Sequence, residues 1–220
     1  WEGYDKYLKK EKNADFLHQF INDESGYGTV VGAKVDLGKV IKGFQKYFFE
    51  KGVLIAEQFD FEQLKVESDY VIYKEIIARK VIFCEGFIAF KNPWFAHLPY
   101  ESAKGEALII RIPNLETPDI IKKHFFIVPL EGDLFWFGAN YEWDDLTETP
   151  TVEGKAFLVN QLKTILKVDY EIVEHLAAVR PVLKDRRPVL GIHPEFPQLG
   201  ILNGLGTKGT SLAPFFANKF

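Results

Sequence analysis

A glycine-rich hexapeptide, Gly204-Leu205-Gly206-Thr207-Lys208-Gly209, follows the strand-like run Gln198 to Asn203 and is followed by only eleven residues. Strand, G-x-G-x-x-G turn and helix are the ingredients of a dinucleotide phosphate site. This turn is placed too late to open one, because eleven residues cannot hold the helix, second strand and ribose-binding carboxylate that complete such a unit. What remains is backbone chemistry. Glycines let the main chain come close to a ligand, and a helix expected to start near Thr210 points its amides and the positive end of its dipole at it. Such a loop suits a partial negative charge. A plain strand-to-helix turn accounts for the same residues.

Upstream stands Arg180-Pro181-x-x-x-Asp185-x-x-Pro188-x-x-Gly191. An arginine at the end of an apolar strand, followed by proline, is a planar double donor suited to holding a carboxylate. A salt bridge to Asp185 or another acid is the competing use. Lys208 adds positive charge near the loop, although a cation at a helix start is not favoured by the dipole. Otherwise it is a solvated side chain.

Composition narrows the function classes. With 47% apolar residues, 26% charged residues and 20 Phe in 220 positions, the sequence can build a full core of one or two domains. The formal charge of −4 and the absence of a basic stripe argue against a nucleic-acid partner. No apolar run reaches the length of a membrane span. The one cysteine, Cys84, excludes an internal disulfide and a multi-cysteine metal site. Its apolar neighbours predict a buried thiol, and a reducing, cytoplasmic setting fits. The histidines at 18, 97, 124, 175 and 193 lack metal-ligand spacing, and no serine sits in a G-x-S-x-G elbow. Asp144-Asp145 beside Trp143 reads as a solvated turn. Tyr100 and Lys104, just before a strand, either face a pocket or serve ordinary packing and surface roles.

Along the chain, residues 1–30 read as a helix and a loop around Gly26-Tyr27-Gly28. Leu37, Val40, Ile41, Phe44, Tyr47 and Phe48 recur at helical spacing between a capping Asp36 and a closing Gly52. Strands are expected at 53–55, 70–73, 76–84, 107–112, 124–130, 134–138, 172–179 and 198–203, with a hairpin at Glu131-Gly132-Asp133. Thr149-Pro150 starts a helix running to Lys167.

The ordered pieces of the last fifty residues resemble a known family. They are Arg180-Pro181, Asp185-x-x-Pro188-x-x-Gly191, Pro194-Glu195-x-Pro197, Asn203-Gly204-x-Gly206-x-x-Gly209 and Leu212-Ala213-Pro214. Their order is similar to the carboxyl end of FAD-dependent amine oxidases of the D-amino-acid oxidase, glycine oxidase and sarcosine oxidase type. Earlier segments agree: Val35-Asp36, Gly52-Val53, Ala78 to Gly86 where that family has a strand ending in a small residue and Gly, and Lys104-Gly105-Glu106 where it usually has Arg-Gly-Gln.

The resemblance implies an α/β fold with an α+β insert. An incomplete, Rossmann-like FAD-binding half spans 31–94 and 172–220, an antiparallel-sheet substrate domain spans 95–171, and the pocket lies at their junction. Residues 1–30 stay unplaced. The family's amino-terminal phosphate-binding G-x-G-x-x-G has no counterpart, and there is no methionine, even at position 1. A fragment lacking its FAD-phosphate segment is implied, and such a fragment would bind FAD poorly. The resemblance further implies FAD contacts from Gly86, Gly204, Leu205, Gly206, Thr207, Lys208 and Gly209. Arg180, with Lys208 beside it, would hold a carboxylate-bearing substrate for hydride transfer from its α carbon, by orientation rather than acid/base power. Amino acids or secondary amines are the implied substrates; a 2-hydroxy acid, or a non-enzymatic binding domain on the same scaffold, is the alternative.

Overall fold

Residues 8–10, 15–22 and 27–219 are described by a computed structural model. The elements in chain order begin with β1 (Leu8–Lys10), α1 (Asp15–His18), β2 (Gly28–Val30), α2 (Leu37–Glu50), β3 (Leu64–Val66), β4 (Val71–Tyr73), β5 (Ile76–Ala78) and β6 (Val81–Phe83). Next come β7 (Ala103–Arg111), β8 (Ile121–Lys123), β9 (Phe125–Pro129), β10 (Leu134–Gly138), α3 (Val152–Ile165) and β11 (Glu171–Arg180). β12 (Val189–Ile192), β13 (Leu199–Asn203) and α4 (Gly209–Ala217) complete the chain. Two compact units result: unit 1 is 1–34 with 104–179, and unit 2 is 35–103 with 180–220. Parallel and antiparallel strand pairs together make the fold α/β in class.

Unit 1 is built on a five-stranded sheet in the order β11-β7-β10-β9-β8. The Glu131-Gly132-Asp133 turn joins β9 to β10 as an antiparallel hairpin, with Phe135 opposite Pro129. α3 starts where Thr151, in extended backbone, accepts the Gly154 amide on its hydroxyl at 3.0 Å. The helix lays Leu158, Leu162 and Ile165 against Leu108, Ile110, Ile127, Phe135 and Phe137. Each such side chain contributes roughly 1.5–3 kcal/mol on burial.

Polar groups are packed beside that core. Lys104 is fully buried, so the surface role considered for it fails. Its ammonium reaches Asp145 Oδ2 at 2.5 Å and the Thr149 carbonyl at 2.6 Å, and lies 3.8 Å from Glu106 Oε1. Lys104 stands within β7, and the loop from Asn140 to Thr149 folds over it. The buried Glu106 carboxylate in turn accepts the Thr151 amide at 2.9 Å and the Thr151 hydroxyl at 2.7 Å. Gly154 is required there, since a Cβ would sit 2.3 Å from Glu106 Oε2. His175 Nε2 lies 2.8 Å from the same oxygen, off the line of a good hydrogen bond.

The hydrogen bond from Lys104, then those from Thr147, hold the Asp145 carboxyl down to about 2. Because its folded value is depressed, its stabilising contribution is present above pH 4 and is lost as the pH falls from about 4 through about 2. Thermal unfolding of the wild type is therefore expected to weaken across that window more steeply than that of Asp145→Asn. Parallel melting curves for the two proteins would contradict the Lys104 contact.

In unit 2, α2 forms as its spacing predicts. Asp36 Oδ1 accepts the Lys39 amide at 3.0 Å, and Gly52 closes the helix at φ +67°. Its apolar stripe stays exposed, with Phe44 at 58%. Val53-Leu54-Ile55, expected as a strand, belongs to no sheet, because no neighbouring strand supplies ladder partners among the described residues. The run expected as one strand from 76 to 84 is two. β5 closes the antiparallel sheet β3-β4-β5, and after Arg79-Lys80 the chain enters β6 of another sheet.

That second sheet, β12-β13-β6, carries the parallel pair. Leu199 faces Val81 and Ile201 faces Phe83. β12, which sequence patterning did not show, runs antiparallel to β13 with Gly191 opposite Ile201. Leu199, Ile201 and Phe83 pack with Phe95, Tyr73 and Leu64 in a separate core. Cys84 is exposed rather than buried, since it lies one residue past the end of β6. Residues 1–7, 11–14 and 23–26 lie outside the description, so the helix-then-loop reading of 1–30 meets it only at β1, α1 and β2. No helix of the described residues is long and apolar enough to cross a membrane.

Candidate functional site

Parallel strands end together, and the loops beyond their carboxyl ends are where open α/β sheets hold ligands. In unit 2 that edge is formed by the ends of β6 and β13. Gly86 and Gly204, the residues that turn the chain there, have φ of +64° and +70°, values that a side chain strains to reach. They are tied together. Asn203, buried at the end of β13, donates from Nδ2 to the Gly86 carbonyl at 2.8 Å and accepts the Gly204 amide on Oδ1 at 2.6 Å.

The two glycines face different surroundings. A Cβ on Gly86 would meet nothing within 4 Å, leaving open space for a ligand. A Cβ on Gly204 would sit 2.0 Å from Leu183 Cδ1, so that side of the loop is closed by packing. Past Gly204 the loop opens again: Leu205 and Gly206 are half-buried, and Thr207 and Lys208 are exposed.

Hydrogen bonding divides the loop amides into two sets. Gly206 donates to the Pro181 carbonyl at 2.9 Å and Lys208 to the Leu205 carbonyl at 3.1 Å, which, with the Gly204 bond to Asn203, fix the loop's own shape. The amides of Leu205 and Thr207 have no partner among the described residues. After the short 3-10 turn Gly206–Lys208, α4 begins at Gly209 with no side-chain cap and no acid in its first turn. Two free amides and an uncapped, nine-residue helix are donors suited to an electron-rich edge.

Arg180 ends β11, half-buried, immediately before the Pro181 carbonyl that holds Gly206. The fold therefore brings together Arg180, Gly86 and the whole Gly204–Gly209 loop, all within unit 2. Asp185, the candidate salt-bridge partner, accepts the Arg187 amide on Oδ1 at 3.0 Å. Lys208 occupies the N-cap of α4 with its side chain exposed. An apolar cavity of about 250 Å³ lined by Ile55, Phe59, Val71, Tyr73 and Val81 includes none of these residues. Among the described residues no cluster of His, Cys, Asp or Glu could hold a metal ion.

Three residues at this edge were not singled out as a group by sequence. Glu85 accepts a 2.7 Å hydrogen bond from Nδ2 of the fully buried Asn92, and burial raises its carboxyl above the ordinary range while Asn92 opposes that shift. The Tyr100 hydroxyl is buried without a partner, and burial, followed by the Glu85 charge, pushes it up to about 12. Glu85 standing where the resembled family has a small residue was the available signal.

Comparison with known proteins places these features in context. Residues 13–219 match the family model described as FAD dependent oxidoreductase. Glycine oxidase of Bacillus subtilis strain 168 is 25% identical, over 97% of this chain and 59% of that protein. The crystal structure of glycine oxidase from Bacillus cereus ATCC 14579 superposes with a TM-score of 0.79 at 22% identity, covering 97% of this chain and 62% of that one. Iminodiacetate oxidase from Chelativorans sp. BNC1 gives a TM-score of 0.74 at 20% identity, covering 87% of this chain and 55% of its own. The chain thus spans about three fifths of the length of the relatives it matches.

Proposed function

Since the chain belongs to the FAD-dependent oxidoreductase family, we propose that it supplies the flavin-facing loop and the carboxylate grip of an enzyme that oxidises an amino acid or secondary amine. In this reading the flavin half is built from 31–94 and 172–220 and is incomplete, and the substrate half is 95–171. The relatives named for glycine and iminodiacetate support a small, carboxylate-bearing amine as substrate.

FAD is the cofactor of the family, and the residues present fit its flavin end. Open space at Gly86, the unpartnered amides of Leu205 and Thr207, and the uncapped start of α4 offer donors to an electron-rich edge without a competing side chain. Gly204, Gly206 and Gly209 allow close approach, and Lys208 adds charge. When bound, FAD supplies the acceptor for the hydride that leaves the substrate's α carbon. The chain's own work is positioning. Arg180 donates to the substrate carboxylate and thereby fixes which face of the α carbon is presented, a contribution of orientation rather than proton transfer.

The observation that carries this reading is the Gly206 to Pro181 hydrogen bond, which locks the loop to the residue following Arg180. Leu205→Pro tests it cleanly, because Leu205 already has φ −71° and its amide holds no internal bond. The flavoprotein that carries this chain is expected to show the oxidised-flavin absorption band. Stripped of flavin and titrated with FAD, the variant should bind about tenfold more weakly at an unchanged melting temperature. A colourless wild type that does not take up FAD overturns the reading.

A further inference from the structure

α2 is a 14-residue helix with no buried residue, and from Val35 to Gln58 every position is exposed. Its stripe of Leu37, Val40, Ile41, Phe44, Tyr47 and Phe48 lies uncovered. A helix of that length standing alone is marginal in water, so its stability comes from whatever covers the stripe. Gly52 then turns the chain directly into Val53-Leu54-Ile55, which has strand composition, is exposed, and finds no ladder partner among the described residues. β6 is open too. It pairs with β13 on one side, and its other side is the end of the sheet among the described residues. The two openings are related in space, because Ile55 and Val81, the first residue of β6, line the same apolar cavity of about 250 Å³.

We propose that α2, Val53-Leu54-Ile55 and the open side of β6 form one docking surface, and that it receives a strand-and-helix segment of the same flavoprotein lying outside these 220 residues. The chain covers 59% and 62% of two of its relatives, so about two fifths of a protein of that kind lies beyond it. Backbone chemistry selects this occupant. The β6–β13 pair is parallel, and parallel strands are joined through helices that cover the face of their sheet. A helix that runs through one tight turn into a strand, as α2 does, is the second half of such a crossover. An incoming strand offers ladder partners to β6 and to 53–55, and its apolar face covers the stripe of α2. A lipid surface would cover the stripe but leave those main-chain donors and acceptors without partners. A second copy would have to be captured from solution, whereas a segment of the same polypeptide is present at a roughly millimolar effective concentration. The inference rests on the reading of an incomplete flavin half, and it names the face on which that half is completed.

The test uses the flavoprotein that carries this chain, with Cys84→Ser removing the one cysteine of these residues. Val40→Cys then places a thiol in the stripe, and Lys42→Cys places one on the opposite face of α2. Thiol labelling, read by mass spectrometry on the α2 peptide, should be about tenfold or more slower at Val40→Cys than at Lys42→Cys. Hydrogen exchange of the wild type gives a reading that no substitution disturbs: the amides of 53–55 should be protected. A photo-crosslinking benzoylphenylalanine in place of Phe44 should join α2 to a peptide of the same polypeptide outside these residues. Equal labelling with fast exchange would mean that the face stays open, and crosslinks between isotopically light and heavy copies would mean that a second copy covers it. Either result overturns the docking, as does the lack of any crosslink beyond these residues. FAD uptake is measured on the same wild type. Uptake with an open α2 face sinks the docking alone, and a covered face without uptake sinks the flavin reading alone.

Discussion

Arg180→Ala, introduced into the flavoprotein that carries this chain, should retain its flavin yet lose about a hundredfold or more of kcat/KM toward a carboxylate-bearing amine. Two hydrogen bonds to a charged acceptor are removed together, each contributing roughly 1.5–3 kcal/mol in such settings. Part of the loss should appear in KM, as weaker capture of the substrate. A fall in kcat is expected as well, because an α carbon that is no longer oriented reacts less often even when bound. Arg180→Lys separates the two contributions: it preserves charge but loses the planar pair of donors, so it should bind substrate better than the alanine variant and still turn over slowly. Wild-type kinetics in Arg180→Ala, with flavin retained, would remove Arg180 from the site.

Lys104→Met should give the largest loss of stability in unit 1. The ammonium is completely shielded from water and lies between Asp145 and the Thr149 carbonyl, with Glu106 3.8 Å away. Deleting the cation leaves the buried Glu106 carboxylate without its nearest lysine, a change that costs about 3 kcal/mol or more in comparable buried pairs. For a protein of this size that corresponds to a melting temperature lowered by roughly 6–12 °C. Lys104→Met with Glu106→Gln should recover part of the loss, since the unbalanced charge is then gone, and the shortfall from additivity measures their coupling. A Lys104→Met protein that melts like the wild type would show that the contacts of Lys104 do not hold the loop from Asn140 to Thr149.

Local chemistry made some of this legible in advance. α2 carries its own start signal in Asp36, the start expected for α3 at Thr149-Pro150 lies just ahead of its actual cap, Thr151, and the Glu131-Gly132-Asp133 turn is bounded by β-rich runs that pair as a hairpin. The Gly204–Gly209 loop and Arg180 were also visible, because their residue types are unusual for ordinary packing and their order resembles a family. Less legible was anything set by partners remote in sequence. Ile76 to Cys84 is one apolar run, yet β5 and β6 serve different sheets, and only the distant pairing of β13 with β6 decides that. Val53-Leu54-Ile55 has strand composition but needs a neighbour to become a strand. Glu85 and Asn92 are unremarkable singly, and are paired only by the hydrogen bond from buried Asn92.

The amino-acid sequence by itself determined the Asp36 cap of α2 and the hairpin, because each depends on contacts within a few residues, and it showed the glycine loop and the arginine that precedes it by residue type and order. The tertiary structure alone decided which loop amides stay unpartnered and that Lys104 is buried. Those properties are set by solvent exclusion and by hydrogen bonds between residues tens of positions apart, and no local pattern encodes them.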